Sequence, residues 1–321
     1  MKTNNQIPPG IGALLNGWQY GFESVVDFRA MTEACLHDCP QCFTEKQKKT
    51  LTLDEIKRTI DQISDLGFKG IDYLGEGEPT LDKDFFEIIE YTSSKGLIPI
   101  IFTDAATKMR DKDFIRRVKT SGASVAPKCD SLWNPEYQNW VVGDKKKKFF
   151  DNRNYSIDLL IDEGFNELRE NGTTRLGFDM VISNRNKHEV EKTLRYCRDN
   201  NLWVVFTFYL PTGRSGRKSF NQSLVPTLDD KRKILESVVK IDREYGFIHP
   251  GYNNFVTSPC VEFLCIYGDG RVAPCVGNET IVGNIENDSL KSLVDKIKEN
   301  FPCHRLENYD GNCTYRDEIS F

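Results

Sequence analysis

The sequence predicts an α/β protein organised around a parallel sheet or barrel, and three observations carry that expectation. Between about residues 24 and 245, six short β-rich runs alternate with amphipathic segments of helical period, as parallel strands with helical crossovers do. Several helical segments carry capping and stop residues of their own, so the alternation does not rest on composition alone. At 321 residues the chain is long enough to bury one large core with a small appendage, without disulfide staples.

The first strand is expected near residues 24–31. Thr52 then supplies an N-cap with Glu55 three positions on, apolar residues follow at Leu53, Ile56, Ile60 and Ile63, and Gly67 ends the helix. A second strand at 70–74 leads through a helix near 82–94 to a third strand at 97–102. Residues 111–120 and 124–128 make the next helix and strand. After a longer excursion at 131–154 come a helix near 155–170, a strand at 175–182, a helix at 187–200, a strand at 203–209 and a helix at 227–245. Asn171-Gly172-Thr173 and residues 213–216 read as loops. Right-handed crossovers put every loop that follows a strand at one end of the sheet, so the residues after strands one to six share a mouth.

Two motifs fall at that mouth. Cys35, Cys39 and Cys42 stand as C-x3-C-x2-C after the apolar run Val25, Val26 and Phe28, and Gly75-Glu76-Gly77-Glu78-Pro79 follows the second strand. With 10 cysteines in the chain, a shuffled sequence would show this spacing roughly 0.01 times, which sets accident aside. A structural zinc site prefers a second cysteine pair and knuckle turns to an isolated trio in a strand-to-helix loop. Three thiolates hold three irons of a cubane [4Fe–4S] cluster and leave the fourth open, whereas an electron-transfer ferredoxin normally provides four. Glycine lets the chain approach a charged ligand with no Cβ in the way, and Pro79 fixes φ while adding no donor.

The trio and the Gly-Glu-Gly-Glu-Pro segment together resemble the radical S-adenosylmethionine (SAM) superfamily. The resemblance implies a partial (β/α)6 TIM-like barrel over residues 23–250, preceded by an extension at 1–22. It implies that SAM binds the open iron through its amine and carboxylate, with Gly75, Glu76, Gly77 and Glu78 supplying backbone and carboxylate acceptors for the ammonium. Thr103-Asp104 at the end of strand three, Lys128 at the end of strand four and Ser183 after strand five occupy places where family members often contact the SAM ribose or carboxylate. The residue before the third cysteine, usually aromatic in the family, is Gln41 here, with Phe43 just after the motif. The implied chemistry is one-electron cleavage of the sulfonium to a 5′-deoxyadenosyl radical that abstracts a substrate hydrogen, with a flavodoxin- or ferredoxin-type protein as reductant.

Past residue 250 the character changes, and five of the ten cysteines lie in the last 62 residues. A hairpin is expected from strands at 263–267 and 271–273 around a Gly268-Asp269-Gly270 turn. Cys260, nine residues, Gly270, four residues and Cys275 resemble the opening of the SPASM and twitch extensions, which carry auxiliary iron–sulfur clusters. Only Cys303 and Cys313 remain beyond it. Four thiolates, from Cys260, Cys275, Cys303 and Cys313, therefore suit one auxiliary [4Fe–4S] cluster in a small β-hairpin and helix domain at 251–321. Cys265 is left over on the hairpin strand, as a buried small hydrophobe, a substitute ligand, or a catalytic hydrogen-atom donor of the kind radical SAM epimerases require. Cys129 and Cys197 read as packing residues; His37 lies inside the cysteine loop, where its neighbours already supply the ligands, and His188, His249 and His304 show no metal-ligand spacing.

A net charge of −5 offers no broad basic face for nucleic acid, and the run Lys145 to Lys148 reads as a solvated loop. The N-terminus lacks an apolar signal stretch and no run of about 18 apolar residues occurs, so a cytoplasmic protein that does not span a membrane is expected. Reducing conditions there keep thiols available for soft metals. The 34 residues before Cys35 are too few for the leader-recognition domain of many peptide maturases, and Glu318-Ile319-Ser320-Phe321 lacks the Gly-Gly tail of the molybdopterin-precursor cyclase. The expectation is epimerisation or dehydrogenation of a small polar metabolite or short peptide. Peptide maturation by cross-linking or epimerisation is the alternative, and a non-catalytic electron-transfer protein is the competing class.

Overall fold

The architecture is described from a computed structural model over residues 10–11, 25–209, 222–247, 262–275, 278 and 280–301. Six parallel strands run in sequence order: β1 (Val25–Phe28), β2 (Gly70–Tyr73), β3 (Ile98–Thr103), β4 (Ser124–Pro127), β5 (Gly177–Ile182) and β6 (Trp203–Phe208). β4 meets β5 through bridges at Val125–Leu176 and Lys128–Asp179, and the Cys129 amide donates to the Asp179 carbonyl at 2.7 Å. This is the partial (β/α)6 barrel, open rather than closed among the described residues.

Helices α1 (Leu53–Asp65), α2 (Phe85–Ser94) and α3 (Lys112–Thr120) cover the first crossovers. The capping box at the head of α1 forms as its spacing predicts, with Thr52 and Glu55 satisfying each other's backbone amides. The excursion at 131–154 is more ordered than its composition suggested. Asn134 caps a short helix α4 (Pro135–Val141) by accepting from the Tyr137 amide, with Pro135 pre-set for the first turn. Helix α5 (Phe149–Asp162) starts earlier and ends earlier than its apolar pattern indicated, stopping before Gly164, whose φ of +76° a side chain would strain. α6 (Val190–Asp199) and α7 (Leu228–Glu244) complete the outer layer.

The expected hairpin forms from β7 (Glu262–Ile266) and β8 (Arg271–Ala273), and β9 (Gly283–Asn284) extends it. It does not make a sheet of its own: β7 pairs in parallel with β1, so the barrel sheet continues through the hairpin. The open edge of β1 supplies the unpaired backbone groups for that extension. Helix α8 (Leu290–Asn300) buries Leu290, Leu293, Val294 and Ile297 in the same core, and its Leu290 amide donates a hydrogen bond to Gln62 Oε1 of α1 at 2.9 Å.

Strand alternation divides the barrel. Val26, Phe28, Ile71, Tyr73, Phe178, Met180, Val204 and Phe206 join the layer beneath the helices, while Val25, Ile100, Ala126 and Trp203 close the floor inside. A Cβ on Gly177 would lie 2.0 Å from the Trp203 ring, so the absent side chain makes room for the indole. No helix among the described residues is long and apolar enough to cross a membrane.

Candidate active site

The cysteine loop and the Gly-Glu-Gly-Glu ribbon are two strips of backbone pressed together. The Gly77 amide donates to the Thr32 carbonyl at 3.0 Å and the Glu78 amide to the Ala34 carbonyl at 2.8 Å. A Cβ on Gly77 would stand 2.3 Å from the Ala34 oxygen and 2.6 Å from the Glu33 carbonyl, so this close approach requires glycine. Gly75 has φ +65°, the turn that carries the chain from β2 into the ribbon. Thr44, two residues past Cys42, donates its hydroxyl to the Glu76 carbonyl at 2.8 Å, and the Gln47 amide donates to Glu76 Oε2 at 3.2 Å. On its other side the loop rests on the end of α4, where the Asp38 amide donates to the Val142 carbonyl at 3.2 Å.

Glu78 is the hub of the mouth. Its Oε1 accepts from the Thr80 amide at 3.2 Å, the Thr80 hydroxyl at 2.7 Å and the Thr103 hydroxyl at 2.6 Å, and its Oε2 from the Asp104 amide at 2.7 Å. Burial pushes its carboxyl up to about 8 and the Asp104 carboxylate adds to the rise, while the hydrogen bonds oppose it. The side chain is therefore spent on tying the end of β2 to the end of β3, and Thr103 is turned to Glu78 rather than held free. Asp104 accepts from the Ala106 and Thr107 amides and lies 2.8 Å from His37 Nε2. His37, which the spacing of ligands passed over, thus anchors the cysteine loop to β3, and Lys46 Nζ donates to its carbonyl at 2.8 Å.

These elements surround a cavity of about 220 Å³, into which Cys35, Cys39, Cys42, Gly75, Glu76, Gly77, Glu78, Thr103 and Lys128 all face. Lys128 stands 3.0 Å from Asp130; burial opposes its charge, but Asp130 and Asp179 hold its ammonium above the ordinary range. Ser183 is elsewhere. It is buried, with its hydroxyl 2.9 Å from the Tyr137 hydroxyl and 3.2 Å from Asn186 Oδ1, and it does not line the cavity. Asp179 does line it, a residue the motifs missed. Its signal was a single charged side chain in a strand whose other residues are all apolar or glycine.

Cys265 also sits apart from the cavity. It is fully buried with Tyr267 and Ala273, beside Asp27 on the adjacent strand β1 and Arg29 just past its end, and burial raises its thiol well above the usual value. Arg29 Nε donates to Asp27 Oδ2 at 3.1 Å, and its guanidinium lies between the rings of Phe43 and Tyr267, about 5 Å from each. Arg29 thereby joins the cysteine loop to the hairpin. Of the four cysteines expected at an auxiliary cluster, Cys275 is half-buried on the hairpin, and Cys260, Cys303 and Cys313 lie outside the described residues.

Comparison with known proteins decides the family. The sequence profile of the Radical SAM superfamily matches residues 30–197, more than half of the chain. The chain belongs to the radical SAM superfamily. Its curated relatives include a GTP 3′,8-cyclase of Mannheimia succiniciproducens, 25% identical over 191 residues, with 57% of this chain and 53% of the relative covered. A GTP 3′,8-cyclase of Listeria welshimeri is 23% identical over 330 residues, covering 90% of each. The chain therefore spans about half the length of the Mannheimia relative and most of the Listeria one. Among solved structures, anSMEcpe with bound AdoMet and Cp18Cys peptide superposes with TM-score 0.63 at 17% identity, covering 88% of this chain and 83% of that one. SuiB of Streptococcus suis bound to precursor peptide SuiA gives TM-score 0.61 at 16% identity, covering 88% and 67%. At these identities the likeness is one of fold.

Radical SAM proteins use SAM and a [4Fe–4S] cluster, and the residues around the cavity fit both. Cys35, Cys39 and Cys42 are free thiols on one wall. Among the described residues no three His, Cys, Asp or Glu side chains gather around a single ion, and a cubane asks for something else, since it spreads three cysteines over three irons. Burial pushes the Cys39 thiol up to about 12, with Lys128 opposing, so its thiolate form depends on bound iron. Gln41, in the position before the third cysteine, is nine-tenths buried on the cavity wall, and its Nε2 has no partner among the described residues. An orphaned amide donor there suits the edge of a heterocyclic ligand.

Proposed function

We propose that this radical SAM protein cleaves SAM reductively and uses the radical to remove a hydrogen from a small polar metabolite or short peptide. The observation that carries this reading is the docking of the Gly75–Glu78 ribbon onto the cysteine loop, which brings three thiols and the ribbon to one cavity. When bound, the reduced cluster and SAM supply a 5′-deoxyadenosyl radical. The chain's own task is placement: Cys35, Cys39 and Cys42 would hold the cluster, the ribbon backbone would receive the SAM ammonium, and Glu78, Thr103 and Asp104 hold the ribbon in place. Phe102, Val181, Val205 and Phe208 present apolar surface where water must be excluded from a reactive carbon.

Dehydrogenation is the outcome supported best. A thiol that returns hydrogen to a substrate radical has to reach it, and Cys265 is fully buried and does not line the cavity. Oxidation needs an electron acceptor; Cys275 with Cys260, Cys303 and Cys313 would hold an auxiliary [4Fe–4S] cluster able to supply one, and a flavodoxin- or ferredoxin-type protein would supply the first electron. GTP, the substrate in the name of the cyclase relatives, suits the described cavity less well. Its lining carries Glu76, Asp104 and Asp179 against Lys46 and Lys128, a poor surface for a triphosphate. The test is anaerobic reconstitution with iron and sulfide, followed by SAM and dithionite. Formation of 5′-deoxyadenosine supports the enzyme, and its absence with intact clusters supports an electron-transfer protein. Solvent deuterium in the product would move the outcome to epimerisation.

A further inference from the structure

Below the ribbon, the barrel wall between β4 and β6 is built in levels. Trp203 forms the floor under Gly177. One step up, Asp179 is paired in register with Val205 and bridged to Lys128, and the next step pairs Val181 with Thr207. Asp179, Lys128, Val181, Val205 and Thr207 all face the cavity.

The charges on this wall do not balance. Lys128 gives its ammonium to Asp130, which is fully buried at 3.0 Å and whose Oδ1 accepts from the Val181 amide at 2.9 Å. Asp179 keeps only a longer-range attraction to Lys128, and its carboxylate makes no hydrogen bond or ion pair among the described residues. One lysine therefore faces two carboxylates, one of which points into the cavity with apolar walls about it. An unpaired carboxylate held in such a place favours a cationic hydrogen-bond donor over a neutral one, and both over an anion.

We propose that Asp179 is a substrate-contacting residue that receives a protonated amine, so that the substrate of this site is an amine-bearing metabolite or a peptide presenting a basic group. The inference rests on the reading of the cavity as the radical site. It is independent of which hydrogen is removed, since it concerns only how the substrate is held.

Three four-carbon probes of equal length test it on the reconstituted, SAM-loaded protein by anaerobic titration calorimetry: 1,4-diaminobutane, 1,4-butanediol and succinate. The expected result is at least tenfold tighter binding of the diamine than of succinate, with the diol between them, and loss of at least tenfold in diamine affinity in Asp179→Asn. Equal binding of the three, or a preference for succinate in the unmodified protein, overturns the proposal without reference to any variant. Diamine affinity retained in an Asp179→Asn protein of normal iron content overturns it as well. Failure of the unmodified protein to form 5′-deoxyadenosine counts against the radical reading instead, and the probe series reads the wall separately.

Discussion

Replacing Gly77 with alanine asks whether the ribbon needs glycine for contact with SAM or for contact with its own protein. The added Cβ would stand 2.3 Å from the Ala34 carbonyl oxygen and 2.6 Å from the Glu33 carbonyl, all backbone atoms that cannot swing aside. Reaching ordinary van der Waals distance requires the two strips to part by about 1 Å. That displacement breaks the hydrogen bonds from the Gly77 and Glu78 amides, now 3.0 and 2.8 Å long. Two such bonds at roughly 1 kcal/mol each, with overpacking of about 1–3 kcal/mol, amount to about 3–5 kcal/mol. A domain stable by roughly 5–15 kcal/mol survives such a loss, so the damage should be local. The assay is iron content after reconstitution together with SAM affinity by anaerobic calorimetry. Gly77→Ala should weaken SAM binding at least tenfold, whereas Gly67→Ala, with φ +85° and no atom within 4 Å of its Cβ, should lose about 1 kcal/mol of stability and bind SAM normally. Gly77→Ala with full iron and SAM affinity within threefold of the parent would refute the packing argument.

Three further outcomes follow from the site. Glu78→Gln sets an amide N–H against the Thr80 amide and hydroxyl donors at Oε1; SAM affinity should drop several-fold with stability reduced by about 1–3 kcal/mol, and denaturant titration with calorimetry reads both. Asp179 is raised from 3.8 to about 6, chiefly by burial, with Lys128 opposing and Asp130 adding. A carboxyl with a raised folded value gives stability that is full below its unfolded value and lost as pH rises through the folded one. Iron-free protein should therefore lose stability between about pH 4 and 6 more steeply than its Asp179→Asn variant in matched denaturant melts; parallel curves would show that Asp179 is not so perturbed. Cys265→Ala, which empties a packed site outside the cavity, should lower stability by about 1 kcal/mol and leave the yield of 5′-deoxyadenosine within twofold. Diversion of the substrate radical in that variant would restore the thiol to the chemistry.

Much of this site was legible in one dimension. A trio of cysteines at close spacing and a glycine-rich turn after the second strand are local features, and so are the cap at Thr52 and the period of α1. The order of the parallel strands also follows from local pattern, because short crossovers of one hand leave few alternatives. Contacts between remote segments were not legible. Nothing in the spacing says that Glu78 is taken up in holding Thr103 and Asp104, that His37 lies against Asp104 across 67 residues, or that Ser183 turns to Tyr137. The hairpin reads as an appendage by composition, and only pairing with β1 makes it part of the barrel sheet.

The amino-acid sequence by itself determined that the chain has an alternating α/β architecture, three thiols in one loop and a backbone able to press against it, since each depends on residues near one another in the chain. The tertiary structure decided which side chains face the cavity, which are taken up in holding it together, and where charge is left unpaired. The physical reason is that a buried polar group is defined by its partners, and those partners come from strands whose separation in sequence carries no signal of their nearness in space.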